Sequence, residues 1–308
     1  MKRLIAFIIF SSLAIFSHAQ HKRMAVVELS AVYMRQLPDY ESALETQELM
    51  GTVVELTGEK GYWREILSPQ PYKAWVTEKG LVEMSEEQIE DYKKAEKVMF
   101  TDLYGHIHSA PERKSPTICD LVAGDIMRIT GQKRKAGRWV EVMLPSGRRG
   151  WVRKAGIKRH EGFTNIVKGD ERTDIPKEKI ESIIAEAEKL LGVPYLWGGM
   201  TPKGVDCSGL IRLSFMMNGY LLPRNASQQV TCGREVSLDS LKRGDLVFFG
   251  TPAGDGKGER ITHVGMYLGN DKIIHSSHLV RINSLTPGTT DHYENSHRLI
   301  RARRLSGQ

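Results

Sequence analysis

Apolar and polar residues alternate over short stretches in the first half of the chain, and this pattern occurs twice. The repeated segments are 51–58 and 124–131 (GTVVELTG and GDIMRITG), 63–67 and 139–143 (WREIL and WVEVM), and 75–81 and 151–157. Alternation with a period of two residues, interrupted by glycine- and proline-containing turns, is typical of β-strands. The pattern therefore predicts two copies of one small β-barrel, each about sixty residues long.

Two kinds of helical pattern are found outside these copies. Between them, Ser85 and Gln88 form a capping-box pattern, which predicts a polar helix over 85–97. Isoleucine, alanine and leucine residues recur at helical spacing between Pro176 and Gly192 and predict an amphipathic helix there. The residues that follow Cys207 are apolar on nearly every side, and a helix of that kind is buried. Cys207 is thus expected at the N-terminus of a buried helix.

Three strands are predicted toward the C-terminus. They are the apolar segments 246–249, 263–268 and 272–277, and the last two form a hairpin around the turn at 269–271. Pairing around this turn brings His263 and His275 to within about one cross-strand step, on one face of the sheet. His278 falls on the opposite face if the strand continues that far.

One cysteine and two histidines in this arrangement point to nucleophilic catalysis. The unpaired amides and the positive dipole at a helix N-terminus favour the thiolate of Cys207, and the same amides can accept an oxyanion. A thiolate nucleophile needs an imidazole partner. We therefore assign His263 as the candidate base and His275 as the third residue, which orients it.

Composition and charge narrow the class of protein. The 308 residues include 44 Lys and Arg, 37 Asp and Glu and 10 His, for a net charge of +7, with 26% charged and 40% hydrophobic residues. These proportions fit a folded soluble protein of two or three domains. Three cysteines are too few for a disulfide-stapled mini-domain or a multi-cysteine zinc ribbon. The scattered basic residues give no case for nucleic acid as a partner.

The N-terminus has the pattern of a secretory signal. Lys2 and Arg3 precede an apolar run that ends at Phe16, and the small residues Ser17 and Ala19 then occupy positions −3 and −1 of a cleavage site. The run is too short to span a bilayer comfortably, and no other stretch is long and apolar enough for a membrane span. We expect a protein that is exported, periplasmic or secreted, after cleavage near Ala19.

The motifs in the second half resemble those of the NlpC/P60 cysteine peptidases. The segment 206–209 (DCSG), the segment 263–265 (HVG) and the later His275 occur in the family's order, and the resemblance covers about residues 176–304. The repeat resembles bacterial SH3b domains. The implied class is α+β, a papain-like catalytic domain preceded by two small SH3-like β-barrels. The implied activity needs no metal or organic cofactor and cleaves cell-wall peptides, usually between γ-D-glutamate and the L-diamino acid.

The sequence patterns and the resemblance together give the domain limits. They are a signal peptide at 1–19, SH3b domains at 22–84 and 98–158, a linker helix at 85–97, a linker at 159–175, and the peptidase domain at 176–308.

This layout is similar to one subgroup of the family, the γ-D-glutamyl-L-diamino acid endopeptidases, which act on peptides with a free N-terminal L-Ala. In that subgroup a Glu and a Tyr of the first SH3b domain bind the amino end of the substrate. Glu45 and Tyr72 match their local patterns.

Further substrate-binding residues are implied by the same subgroup: Tyr195, close to the oxyanion, with Trp197, Asp206 and Ser208. One position departs from the pattern, because the chain has Asn225 where an Asp usually pairs with the ammonium group. Toward an ammonium group an Asn can only accept a hydrogen bond through its oxygen and brings no charge, so the amine either depends more on Glu45 or is no longer required.

Several alternatives stay open. The SH3b pair could bind the wall in a protein whose cysteine domain is vestigial, or the fold could serve an amidase or acyltransferase. A zinc site of Cys207, His263 and His275 is chemically possible but would lack a separate general base. Pairing of Cys119 with Cys232, the choice between meso-diaminopimelate and L-Lys, and the oligomeric state are also undecided.

Overall fold

The structure is a computed structural model that describes residues 22–69, 71–130, 135–167, 169, 174–254 and 256–307. The predicted signal peptide at 1–19 lies outside the described residues.

The first β-unit is a seven-stranded antiparallel sheet with the strand order β3-β2-β6-β5-β4-β1-β7. Its strands are β1 (Arg23–Val27), β2 (Ala31–Arg35), β3 (Leu44–Leu49), β4 (Val53–Lys60), β5 (Trp63–Leu67), β6 (Lys73–Thr77) and β7 (Leu81–Met84). Helix α1 (Glu86–Lys94) follows, and its N-terminus has the expected capping box of Ser85 and Gln88. The helix ends before Lys97, because the chain turns at Ala95 into the next strand.

The second β-unit repeats the topology of the first. Its strands are β8 (Lys97–Phe100), β9 (Tyr104–His108), β10 (Thr117–Val122), β11 (Ile126–Ile129), β12 (Lys135–Ala136), β13 (Trp139–Met143), β14 (Arg149–Arg153) and β15 (Ile157–His160). The strand order is β10-β9-β14-β13-β11-β8-β15, and β12 pairs with β13. Position by position this is the order of the first unit, so the internal repeat is confirmed. Each unit also encloses its own apolar core.

The last part of the chain packs helices against a six-stranded antiparallel sheet. Its helices are α2 (Lys177–Glu188), α3 (Cys207–Met216) and α4 (Ala226–Gln229), and four short strands are β16 (Thr164–Asn165), β17 (Met200–Thr201), β18 (Gly204–Val205) and β19 (Tyr220–Leu221). The sheet contains β20 (Arg234–Glu235), β21 (Leu246–Thr251), β22 (Arg260–Gly269), β23 (Lys272–Ser277), β24 (Leu279–Ser284) and β25 (Leu299–Arg304). Its order is β20-β25-β21-β22-β23-β24. The α+β class is confirmed.

Helix α3 is the centre of this part. All ten of its residues are buried, as the all-round apolar pattern predicts. The condition set for His278, that the strand continues to it, is not met. Strand β23 ends at Ser277, which pairs with Leu279, and His278 is exposed at the turn between them with φ of 63°.

The two β-units and the helical part meet at one junction. Gly51 lies so close to Ile126 that a Cβ atom would be 2.4 Å from the Ile126 carbonyl oxygen. Gly124 is equally tight against Met216 of α3. A cavity of about 700 Å³ opens beside this junction, and its lining includes Glu48 and Arg212 but not Cys207. In the described part of the chain, no helix is long and apolar enough to cross a membrane.

Candidate active site

Cys207 is the first residue of α3. The preceding residue, Asp206, caps the helix by accepting a hydrogen bond from the Gly209 amide at 2.7 Å. The amide of Cys207 belongs to the first turn, where no intrahelical acceptor is available. Burial raises the pKa of the Cys207 thiol to about 12, while the backbone amides of Val264 and Ser208 act in the opposite direction. The thiol is therefore protonated at rest and needs a base.

His263 and His275 form a hydrogen-bonded pair. Nε2 of His263 lies 2.8 Å from Nδ1 of His275, so their predicted proximity is confirmed. Strand β22 packs against α3, and Val264, the neighbour of His263, donates its amide to Cys207. Because Nε2 of His263 is engaged by His275, Nδ1 is the ring nitrogen left for the thiol. The catalytic roles of the three residues stay a prediction.

Both imidazoles are kept neutral. Burial lowers the pKa of His263, and repulsion from His275, when that ring is protonated, and from Arg281 and Arg298 lowers it further. Burial lowers the pKa of His275 to about 4, although its hydrogen bond with Asn283 acts against that shift. A neutral imidazole next to a neutral thiol is the state from which general-base catalysis starts.

A buried ion pair holds the start of the cysteine helix. Arg224 lies 2.6 Å from one carboxylate oxygen of Asp206 and 3.0 Å from the other. The same carboxylate accepts hydrogen bonds from the Gly198 amide and from the Ser208 hydroxyl, each at 3.0 Å. Asp206 and Ser208 are thus joined in a buried network, and their predicted contact with substrate stays a prediction.

Three of the other candidate residues meet across the boundary between the first β-unit and the helical part. The Tyr72 hydroxyl donates to a carboxylate oxygen of Glu45 at 3.1 Å, and Nδ2 of Asn225 lies 3.5 Å from the same hydroxyl. All three side chains are half-buried. Asn225 directly follows Arg224, so this polar cluster lies next to the ion pair that flanks Cys207.

The loop at 195–199 completes the site. The amide of Tyr195 donates to the carbonyl of His278 at 2.8 Å. Burial raises the pKa of the Tyr195 hydroxyl, and Cys207, when it is ionised, and the carboxylate of Asp206 raise it further. Trp197 is 67% exposed. The hydroxyl of Tyr195 therefore stays protonated close to the thiol, and Trp197 offers an open aromatic surface.

Three residues of the site carry no sequence signal. Arg224 forms the buried ion pair, Oδ1 of Asn283 lies 2.9 Å from Nε2 of His275, and the Tyr293 ring packs edge-on against His275 at 4.5 Å between centroids. Arg224 precedes the candidate residue Asn225 but belongs to no periodic pattern. Asn283 and Tyr293 follow strands β22 and β23 in the chain, at no recognisable spacing from His263 or His275.

The structure also describes the other two cysteines and the groups that could ligate a metal ion. Cys119 and Cys232 are both thiols, with no disulfide between these two described residues. Among the residues that the structure describes, no group of three or more His, Cys, Asp or Glu side chains is arranged to hold a metal ion.

Comparison with known proteins agrees with the motifs. The model of the NlpC/P60 family matches residues 192–298. The gamma-D-glutamyl-L-lysine dipeptidyl-peptidase of Bacillus subtilis is 30% identical over 246 residues, which are 77% of this chain and 73% of that protein. The protein of the same name from Bacillus cereus is 28% identical over 269 residues, or 83% of this chain and 75% of that protein.

The fold is shared with a solved structure as well. The crystal structure of an NlpC/P60 family protein from Bacillus cereus matches with a TM-score of 0.74, covering 92% of this chain and 100% of that one at 24% identity. The chain therefore belongs to the NlpC/P60 family of cysteine peptidases.

Proposed function

We propose that this protein hydrolyses the bond between γ-D-glutamate and an L-diamino acid in short cell-wall peptides that have a free N-terminal L-Ala. The products are L-Ala-D-Glu and the peptide that begins with the diamino acid. The observation that carries the proposal is the position of Cys207 at the start of a buried helix, beside a strand that holds the His263–His275 pair. The two relatives named gamma-D-glutamyl-L-lysine dipeptidyl-peptidase support this substrate class.

Acylation begins at the thiol. Nδ1 of His263 accepts the proton from Cys207, and Sγ attacks the γ-carbonyl carbon of the glutamyl residue. The negative charge that forms on the carbonyl oxygen is stabilised by the amide of Cys207 and by the hydroxyl of Tyr195. The imidazolium then gives its proton to the nitrogen of the leaving diamino acid, and a thioester remains on Cys207.

Deacylation uses the same residues in reverse. His263 takes a proton from water, the hydroxide attacks the thioester carbon, and the proton returns to the thiolate as the acid product leaves. His275 holds the ring of His263 in the orientation and tautomer that both steps need.

The free amine is recognised by the cluster of Glu45, Tyr72 and Asn225. Glu45 contributes the negative charge that pairs with the ammonium group, and the Tyr72 hydroxyl fixes that carboxylate at 3.1 Å. Asn225 is uncharged, so the amine depends on Glu45. Trp197 provides an apolar wall beside this cluster.

The domain limits and the cellular location follow from the same proposal. The two β-units act as SH3b domains at 22–84 and 98–158, and the first of them closes the substrate site of the peptidase domain at 176–308. Residues 1–19 direct export to the compartment where wall peptides occur.

One experiment tests the reaction. The purified protein is incubated with L-Ala-γ-D-Glu-L-Lys, with its meso-diaminopimelate counterpart and with the N-acetylated form of each, and the products are identified by mass spectrometry. Cys207→Ala is the inactive variant, and Cys119→Ala is the matched control. We expect L-Ala-D-Glu from the free-amine peptides with the wild type and with Cys119→Ala. If Cys207→Ala cleaves as fast as the wild type, or if no peptide is cut, the proposal is wrong.

A further inference from the structure

We propose that Asn283 is a positioning residue that sets the tautomers of His275 and His263, so that the base presents a bare nitrogen to Cys207. The inference rests on the proposed function, because it assigns Asn283 a part in activating the same thiol.

The amide of Asn283 is held in one orientation. Its Nδ2 donates to the backbone carbonyl of Asp291 at 2.7 Å, and a carbonyl oxygen can only accept. Oδ1 therefore faces His275, whose Nε2 is 2.9 Å away. Asn283 is only 7% exposed and His275 is fully buried, so water does not compete for these contacts.

The orientation of Asn283 determines where the protons are on both imidazoles. Oδ1 is an acceptor, so Nε2 of His275 carries the hydrogen and its Nδ1 is bare in the neutral ring. Nδ1 of His275 then accepts from Nε2–H of His263 across 2.8 Å. Nδ1 of His263 is consequently bare, and it is the nitrogen that must take the proton of the thiol. Oδ1 of Asn283 thus fixes the direction of proton transfer from Cys207. It acts through His275 and His263.

The loop after β24 holds Asn283 in place. The amide of Ser284 donates to the Asp291 carbonyl at 2.9 Å, and the amide of Tyr293 donates to the Ser284 carbonyl at 2.8 Å. The Tyr293 ring packs against both imidazoles, at 4.5 Å from His275 and 5.7 Å from His263. Lys272 of β23 forms an ion pair with Asp291 and ties the loop to the sheet.

A neutral amide suits this position better than a carboxylate. The charged and titratable groups around the two histidines are Arg281 of β24, Arg298, Tyr293 and Cys207. The two arginines are near, and no acid among the described residues contacts either imidazole, so the histidines stay neutral and His263 is ready to act as a base at neutral pH. A carboxylate in place of the amide would favour the imidazolium instead.

Two substitutions distinguish a positioning role of Asn283 from a purely structural one. Asn283→Leu keeps the approximate shape but removes the acceptor, and Asn283→Asp keeps an acceptor but adds a charge. Asn218 is the matched control, because its Nδ2 donates to the Ser214 carbonyl at 3.1 Å at the far end of α3. Asn218→Leu and Asn218→Asp therefore remove or charge a side-chain amide away from the histidines.

The first readout does not depend on the substrate. Long-range proton–nitrogen NMR of the histidine side chains reports which ring nitrogen carries hydrogen. We expect both His263 and His275 of the wild type as Nε2–H tautomers, and mixed tautomers in Asn283→Leu. The rate at which iodoacetamide alkylates Cys207, followed by mass mapping of its peptide, should fall in Asn283→Leu by about 10- to 100-fold at pH 7.

The pH profile gives the second readout. In Asn283→Asp the acid limb of Cys207 alkylation, and of kcat/KM for L-Ala-γ-D-Glu-L-Lys, should move to higher pH by about 1–3 units, because the carboxylate raises the pKa of the histidine pair. Neither Asn218 variant should move this limb. If Asn283→Leu does not fold, Asn283→Asp and the wild-type NMR spectrum still decide the question.

Two results would overturn the proposal. One is wild-type His263 in the Nδ1–H tautomer; the other is a pair of Asn283 variants whose rates fall only in step with their melting temperatures, with the acid limb unmoved. A wild type that cleaves no glutamyl peptide but shows the expected tautomers and alkylation profile would contradict the proposed substrate and leave the role of Asn283 supported.

Discussion

Nε of Arg224 lies 2.7 Å from the hydroxyl oxygen of Thr46, so a residue of the helical part is bonded directly to strand β3 of the first β-unit. The other nitrogens of the same guanidinium bind Asp206, the cap of the cysteine helix. One side chain thus connects the position of the first β-unit to the position of Cys207.

Loss of Arg224 should therefore destabilise the protein strongly. In Arg224→Met the carboxylate of Asp206 remains buried without its partner, and breaking a buried ion pair in this way costs roughly 3–5 kcal/mol. The free energy of unfolding, measured with urea, gives the loss. Arg243→Met is the control, since Arg243 forms an exposed pair with Glu181 and should cost less than about 1 kcal/mol. Equal losses in the two variants would contradict the role of the buried pair.

Gly198→Ala should disturb the contact between the loop at 195–199 and Glu45 of the first β-unit. Gly198 has φ of +73°, and a Cβ atom there would be 3.0 Å from the Glu45 carbonyl oxygen. Gly192 has a similar φ of +85° with nothing within 4 Å, so Gly192→Ala measures the conformational cost alone. That cost is about 1 kcal/mol for each variant. Only Gly198→Ala should also raise KM for the free-amine peptide, because Glu45 is displaced. An unchanged KM would show that the loop does not position Glu45.

The sequence predicts the helices and strands whose apolar residues recur at a regular spacing. It does not predict contacts between side chains that have no such spacing. Helix α3 and the hairpin with His263 and His275 follow from apolar spacing, which local backbone geometry enforces. The sequence leaves open whether the strand reaches His278, because alternation alone does not show where a turn begins; the strand ends before His278, which has a positive φ. Arg224 and Asn283 bind partners from other segments of the chain. Such contacts depend on tertiary packing, which the local sequence pattern does not encode.

Stability should depend on pH through His275. Its pKa in the folded protein is lowered from 6.5 to about 4 by burial. As pH falls below about 6.5, His275 becomes protonated in the unfolded chain but stays neutral in the folded protein. The free energy of unfolding therefore decreases until about pH 4. The contribution of His275 is thus fully present above its unfolded pKa.

His275→Gln isolates this effect. The difference between the wild type and the variant should change by up to about 1.4 kcal/mol per pH unit between pH 6.5 and 4. Urea unfolding at several pH values measures it, and His297→Gln, at an exposed position, serves as the control. Parallel curves for the wild type and His275→Gln across this window would disprove the burial effect.

Selectivity for the free amine should depend on the charge at positions 45 and 225. Glu45→Gln removes the carboxylate that we propose to pair with the ammonium group, and a hydrogen bond to a charged group is worth about 1.5–3 kcal/mol. We expect kcat/KM for L-Ala-γ-D-Glu-L-Lys to fall by about 10- to 100-fold, with little change for the N-acetylated peptide. Glu41→Gln, an exposed acid in the same β-unit, should leave both rates unchanged.

Adding a carboxylate at position 225 tests the same cluster in the opposite direction. Asn225→Asp places a second carboxylate within reach of the Tyr72 hydroxyl, which now lies 3.5 Å from the Asn225 amide nitrogen. A second negative charge stabilises the ammonium group, so the preference for the free amine should rise by about tenfold. The ratio of kcat/KM for the free and acetylated peptides measures this preference. Glu45→Gln could lower kcat/KM equally for the free and the acetylated peptide, and Asn225→Asp could leave their ratio unchanged. Both results together would show that the cluster shapes the site without recognising the amine.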